Sequence, residues 1–287
     1  MAVGSRKSVD RWNVADTIIC HNGYITYCHE SLALHCSTQL LASVLDSSLS
    51  IRFDYQRNEV LVMNVKERSY SIGKGFLLMV WFYFLYQVSA IPMVIPTLKT
   101  IKELWIKIIL FVLGIVLSYL LMKYIWDYFA GDFHPDVEFL PSFDRKHKVV
   151  IYIILAILLL VLVGWSSYVV PTSDNQSEII DMFGKGKWST IVSVVALGPV
   201  IEELIFRGAL QKLFFRRIET KWQMGLYIII STALFTWIHG TPFNAQMIPY
   251  LVMGVIFSSS YVLLCDIKYD ISLHVLNNLI SIIMMSV

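Results

Sequence analysis

Two adjacent carboxylates and an arginine lie in an otherwise apolar run from Trp188 to Phe215. They are Glu202, Glu203 and Arg207. Ionisable groups at membrane depth cost about 2.5–3.5 kcal/mol each on insertion scales, so they are rare there and mark functional sites. On a helix, Glu203 and Arg207 are four residues apart and share one face, which predicts an ion pair between them. Glu202 points about 100° away from Glu203 and is therefore available for another role.

Two histidines lie in later apolar segments, each with a partner four residues away. One segment ends on Phe235-x-x-x-His239, and another contains His274-x-x-x-Asn278. Because helical residues four apart share a face, each pair presents both side chains in one direction. A carboxylate beside a neutral imidazole can hold a water molecule and take its proton. A second imidazole and a carboxamide can donate hydrogen bonds to a developing oxyanion. Together these groups could add water to an amide carbonyl.

Water is the expected nucleophile, because Cys265 has no histidine at helical spacing and the serines at 258–260 lie in an apolar helix. The alternative is a zinc ion held by Glu202, His239 and His274, one carboxylate and two imidazoles. The chain lacks H-E-x-x-H, and the three ligands would have to meet from three helices, so no metal or other cofactor is expected. Metal analysis of the purified protein, together with its sensitivity to chelators, separates these two possibilities.

The motifs EExxxR, FxxxH and HxxxN, in this order on apolar segments, resemble those of the CAAX protease and bacteriocin-processing (CPBP, or Abi) family of intramembrane glutamic endopeptidases. The resemblance covers roughly residues 172–287. It implies that Glu202 and His239 activate the water and that His274 and Asn278 stabilise the oxyanion. It also implies that the two remaining motif residues, Glu203 and Arg207, have supporting roles.

The family resemblance also implies a class of substrate, a membrane-associated peptide or protein. A prenylated C-terminus would indicate CAAX-type processing. A bacteriocin or pheromone leader peptide would indicate peptide maturation, and self-immunity against a bacteriocin is a further role of this kind.

The composition indicates an all-α polytopic transmembrane helix bundle. The 287 residues are 56% hydrophobic and their mean hydropathy is +0.63, which is too apolar for an ordinary soluble domain. About seven membrane segments are predicted, at 75–98, 108–126, 149–170, 188–215, 225–239, 246–265 and 271–287. The fifth and seventh are shorter than the ~20 residues of a usual span, so we expect them to lie inside the bundle around a wet cavity.

Two local signals refine this arrangement. Gly198-Pro199 predicts a kink one turn before the carboxylates. Thr172-Ser173-Asp174 predicts a helix N-cap that opens a short amphipathic helix through Phe183, lying at the membrane interface.

The first 62 residues differ in composition from the rest of the chain. They are polar, contain no long apolar run and show no signal-peptide pattern. We therefore expect a polar extension at 1–62 and a membrane domain at 63–287, with a catalytic core at 188–287. Met63 is a candidate start, which N-terminal mass spectrometry of the native protein would test.

Basic residues in the loops predict the orientation of a multi-pass protein in the cell membrane. Lys and Arg concentrate on the side of Met63, above all after the fourth segment at Lys212, Arg216, Arg217 and Lys221. The positive-inside tendency then places the N-terminus in the cytoplasm. The net charge is only +2 and no basic stripe is interleaved with aromatics, so no nucleic-acid partner is expected.

Two functions of other classes remain open. The protein could regulate or scaffold a membrane partner, such as a sensor kinase, without cleaving anything. The same polar residues could also form the proton relay of a transporter, although no inverted repeat supports this. Glu202→Ala and His239→Ala variants discriminate, since a wild-type cellular phenotype at wild-type expression would exclude catalysis as the function.

Overall fold

The computed structural model describes residues 19–21, 24–26, 72–95, 101–239 and 243–286. The chain divides into two units, Met1–Met63 and Asn64–Val287. Within the described residues, eight helices form the second unit: α1 Ile72–Val94, α2 Leu104–Tyr128, α3 Arg145–Val169, α4 Asp174–Lys185, α5 Lys187–Phe214, α6 Lys221–Ile238, α7 Ile248–Leu264 and α8 Ile267–Ser286.

The described part of the first unit is a short hairpin. Strand β1, Ile19–His21, pairs antiparallel with β2, Tyr24–Thr26, and Cys20 lies opposite Ile25. The rest of the polar extension predicted at 1–62, and the candidate start Met63, lie outside the described residues.

The predicted all-α membrane bundle is confirmed, and each predicted apolar segment contains a helix. Five helical segments are long and apolar enough to cross a membrane, namely α1, α2, α3, α5 and Ala245–Leu264, which contains α7. The predicted number of seven spans is not confirmed. The helices of the other two predicted segments, α6 and α8, have lower hydropathy because they carry polar side chains such as Gln223, Asp270 and Asn278.

Helix α4 begins where the sequence predicts an N-cap. The hydroxyl of Ser173 accepts a hydrogen bond from the backbone N–H of Gln176 at 3.2 Å, which satisfies one of the free donors of the first turn. The same hydroxyl lies 2.8 Å from that of Tyr250 on α7, and Asn175 donates to Tyr250 at 3.1 Å. The start of α4 is therefore tied to α7.

Helices α6 and α8 pack on α5. Helix α6 opens with a reciprocal capping box between Thr220 and Gln223, and it then packs along α7. Helix α7 also packs on α3 and α8, and α8 packs on α5. The connection from α7 to α8 is only two residues long. It turns at Cys265, whose φ is +53°, and Asp266 accepts from the N–H of Lys268 at 3.1 Å.

The loop that follows α2 anchors the end of α5. The ammonium of Lys212 donates to Asp132 at 2.6 Å and to the carbonyl of His134 at 3.0 Å. This hydrogen bond from Lys212 holds the pKa of Asp132 below its ordinary value. One turn earlier on α5, a Cβ on Gly208 would lie 2.2 Å from the ring of Phe133, so the glycine permits this close approach.

Helix α5 is interrupted by two π-helical segments. These are Val192–Leu197 and Leu204–Ala209, and the α-helical turn Gly198–Glu203 lies between them. Glu202 and Glu203 therefore end a short regular turn between two irregular ones. The kink predicted from Gly198-Pro199 takes this form, since π-bulges are an established cause of helix irregularity.

Each π segment frees a backbone carbonyl, and a neighbouring helix supplies its donor. The N–H of Leu210 bonds the carbonyl of Ile205 rather than that of Phe206, and Ser231 of α6 donates to Phe206 at 2.9 Å. These side-chain hydrogen bonds hold the irregular backbone of α5 in place, because a buried carbonyl without a donor is costly.

The second freed carbonyl belongs to Val194. The N–H of Gly198 bonds the carbonyl of Ser193, and the next residue, Pro199, has no N–H to offer. Asn278 of α8 donates to Val194 at 2.8 Å.

Candidate active site

Glu202 presents its two carboxylate oxygens to different partners. Oε1 accepts a hydrogen bond of 2.7 Å from the hydroxyl of Tyr86 on α1. Oε2 makes no hydrogen bond to any described residue, and it lies 3.9 Å from Nε2 of His239 and 3.9 Å from Nε2 of His274. Three helices other than α5 thus converge on this one carboxylate, which is 11% exposed.

His239 follows the last turn of α6 with its tautomer defined by the backbone. Nδ1 lies 2.7 Å from the carbonyl of Phe235. A carbonyl oxygen can only accept, so Nδ1 carries the hydrogen and a neutral ring has its lone pair on Nε2, towards Glu202. The ring lies between those of Phe235 and Tyr250, with centroids 4.5 and 4.7 Å away. These contacts account for the spacing of FxxxH.

His274 is oriented by a carboxylate instead. Its Nδ1 donates to Oε1 of Glu203 at 2.7 Å, and the same oxygen accepts from Nη1 of Arg207 at 3.1 Å. The ion pair predicted from the spacing of four is therefore present, and both of its side chains are fully buried. The guanidinium of Arg207 also lies over the ring of Phe235 at 4.4 Å, a favourable cation–π contact.

Asn278 faces the same side of α8 as His274 but already has two hydrogen bonds. Its amide donates to the carbonyl of Val194, and its Oδ1 accepts from Asn277 at 3.1 Å. A carboxamide has two N–H donors, so one N–H of Asn278 is committed to α5 and the other is available to a ligand.

Two residues of the site were not predicted. Tyr86 lies 116 residues before Glu202 with no spacing or motif to connect them. Asp270 is fully buried beside Glu203 and Arg207 on the first turn of α8. A signal for Asp270 existed, since it lies four residues before His274 on one helical face. The predicted segment began at 271 and left it outside.

A cavity of about 1030 Å³ brings the predicted residues together. Glu202, His239, His274 and Asn278 all line it, as does Tyr86. Every helix except α2 contributes to its walls, which mix aliphatic with polar side chains. Among the described residues, no group of three or more His, Cys, Asp or Glu side chains is arranged to hold a metal ion.

Residues 184–280 match the family model described as type II CAAX prenyl endopeptidase Rce1-like. This segment is Rce1-like. The predicted resemblance to the CAAX protease family is confirmed over these residues, which contain the three motifs and all of α6 and α7. A search of curated proteins and of solved structures found no significant match.

The Rce1-like match relates this segment to proteases, and the five apolar helices indicate a multi-pass membrane protein. The match begins near the end of α4. Helix α1, which supplies Tyr86, lies outside the matched residues.

Asn278 is expected to stabilise the fold through its hydrogen bond to α5. Asn278→Ala should lower the free energy of unfolding by about 1–3 kcal/mol, because the carbonyl of Val194 loses its donor. Adding Pro199→Ala restores an N–H beside that carbonyl and should recover part of the loss. Thermal unfolding in detergent measures both variants. An Asn278→Ala protein with wild-type stability would show that the bond to α5 contributes nothing.

Proposed function

We propose that this chain is an intramembrane endopeptidase in which Glu202, with His239, activates a water to hydrolyse a peptide bond. The observation that carries the proposal is the position of Oε2 of Glu202, 3.9 Å from Nε2 of both His239 and His274. A water between these atoms can reach all three within hydrogen-bonding distance, while the other carboxylate oxygen is occupied by Tyr86.

In the first step, Oε2 of Glu202 takes a proton from the water while its oxygen attacks the scissile carbonyl. Nε2 of His239, which has a lone pair when Nδ1 is bonded to Phe235, accepts the water's second hydrogen bond and orients the attack. The bond between the water oxygen and the carbonyl carbon forms, and the carbonyl electrons become an oxyanion.

The oxyanion is stabilised by donors from α8. His274 has its Nδ1 hydrogen on Glu203, so a second proton on Nε2 makes it a charged donor towards the cavity. The free N–H of Asn278 is the second donor. Glu202 then transfers its proton to the leaving nitrogen as the C–N bond breaks, which yields a carboxyl group and an amine.

The cavity supports a membrane-associated peptide as the substrate. It is lined by apolar side chains of α3 and α4, such as Leu160, Val163 and Ile179, beside polar ones such as Asn175 and Gln176. A CAAX-type substrate, a bacteriocin or pheromone leader, or a bacteriocin against which the cell is immune would each present an extended segment at such a site.

Comparative peptidomics of membranes tests the proposal. Cells with the wild-type chain and cells with Glu202→Gln at equal expression are compared, and we expect an uncut peptide or protein to accumulate in the variant. Its sequence would identify the substrate and the cleavage site. Identical peptide profiles would contradict the proposal and favour a regulator or scaffold of a membrane partner.

A metal-free mechanism is part of this proposal. Hydrolysis by purified protein should persist after dialysis against a chelator, and metal analysis should find less than one equivalent of zinc per chain. Loss of activity that zinc restores would instead assign Glu202, His239 and His274 to a zinc ion.

A further inference from the structure

We infer that Tyr86 of α1 is a positioning residue for Glu202. Its hydroxyl lies 2.7 Å from Oε1 of Glu202, and a carboxylate offers only acceptors, so Tyr86 is the donor. The inference deepens the proposed function and rests on it. Tyr86 lies outside the Rce1-like segment, so the family match does not assign it a role.

The hydrogen bond selects which oxygen of Glu202 meets the histidines. The terminal torsion angle of a glutamate side chain, χ3, has a broad distribution, so the carboxylate plane rotates easily when it has no hydrogen-bond partner. With Oε1 held by Tyr86, Oε2 is the oxygen that remains 3.9 Å from both imidazoles. Charge-assisted hydrogen bonds are about twice as strong as neutral ones, so one bond suffices to restrain the side chain.

Gly198 lies next to this contact. A Cβ on Gly198 would lie 3.4 Å from the hydroxyl of Tyr86 and 3.5 Å from Oε1 of Glu202, and only 2.9 Å from the carbonyl of Ser193. The glycine is thus one turn before Glu202 and beside the hydrogen bond. A side chain here would meet Tyr86 and Glu202 at ordinary contact distance, and its close approach would be to the backbone carbonyl of Ser193.

The ring of Tyr86 packs against a ring on α1 that in turn packs against α5. It makes an edge contact with Tyr83 at 6.4 Å between centroids, and Tyr83 makes the same kind of contact with Phe206 of α5 at 6.3 Å. Aromatic pairs of this geometry contribute beyond their buried area. The hydroxyl therefore reaches Glu202 from a fixed ring.

The kinetic test uses Tyr86→Phe, which removes only the hydroxyl. We expect kcat to fall about 10-fold or more with KM nearly unchanged, because a displaced base slows the chemical step rather than binding. In a Glu202→Asp background, whose shorter side chain has already lost the contact, Tyr86→Phe should have no further effect. Tyr119→Phe removes an exposed hydroxyl on α2, and it should leave kcat and KM unchanged.

A second measurement does not depend on hydrolysis. An apolar carbodiimide labels carboxyl groups within membranes, and mass spectrometry of the digested protein reports the labelling rate at Glu202. Freeing Oε1 in Tyr86→Phe should raise that rate about threefold or more. Peptide hydrolysis by the wild type that Glu202→Gln abolishes tests the proposed function separately. A wild-type labelling rate in Tyr86→Phe, or an unchanged kcat, would overturn the role of Tyr86.

Discussion

Glu202→Gln is expected to reduce peptide hydrolysis by about 10²–10⁴-fold, the usual contribution of a general base. Glutamine keeps the shape of the side chain, and its amide oxygen can still accept from Tyr86, so the bundle should fold as before. What is lost is the one atom beside both imidazoles that can take a proton. Initial rates on the substrate identified by peptidomics, with melting temperature in the same detergent, provide the measurement.

A matched control for this variant is Glu219→Gln. Glu219 is an exposed glutamate just before α6, and the same change of charge there should alter neither the rate nor the melting temperature. If Glu202→Gln retains a rate within a few fold of the wild type while Glu219→Gln behaves as expected, a base other than Glu202 must act.

Arg207→Met is expected to lower the free energy of unfolding by about 3–5 kcal/mol, the cost of leaving a buried charge without its partner. Arg207 and Glu203 are both fully buried, and Asp270 lies beside them. Methionine fills much of the volume but leaves these carboxylates facing each other. Because Glu203 also orients His274, hydrolysis should fall together with stability.

Two further variants make this prediction specific to the buried charge. Arg207→Met combined with Glu203→Gln removes one positive and one negative charge. The double variant should be more stable than Arg207→Met alone, because fewer buried charges lack a partner. Lys123→Met breaks an ion pair of the same spacing with Asp127 on α2, where both side chains are more than half exposed. It should not shift the melting temperature measurably. If Arg207→Met and Lys123→Met lowered stability equally, the buried ion pair would contribute no more to stability than the exposed one.

The parts of the site that were predicted are those related by helical spacing or by a motif. The pair of Glu203 and Arg207 follows from a separation of four residues, and FxxxH reports a bond from a histidine to a backbone carbonyl one turn earlier. The start of α4 was predictable because an N-cap serine is a local signal. In these cases the two residues are close in the sequence, and helix geometry alone brings them into contact. Such contacts can therefore be predicted from the sequence.

The parts that were missed depend on how distant helices meet. Nothing in the sequence around Tyr86 indicates that its hydroxyl reaches a residue on α5. The π segments are also invisible to hydropathy, which repeats with a period near 3.6 residues whether or not a bulge is present; only Gly198-Pro199 indicated an irregularity. Seven spans were predicted from apolarity alone, but α6 and α8 also carry polar side chains that are buried inside the bundle, such as Ser231 and Asp270.

The two π segments of α5 determine where the helix can tolerate a change in residue count. A π-bulge is equivalent to one residue inserted into an α-helix, and it absorbs that residue without rotating the flanking turns. Deleting one residue other than Arg207 from Leu204–Ala209 would return that stretch to a regular helix and keep Glu202 and Glu203 oriented relative to the anchor between Lys212 and Asp132. The same deletion in the regular turn Leu210–Phe214 would rotate the carboxylates by about 100° relative to the rest of the bundle and should disable the protein even when every functional side chain remains.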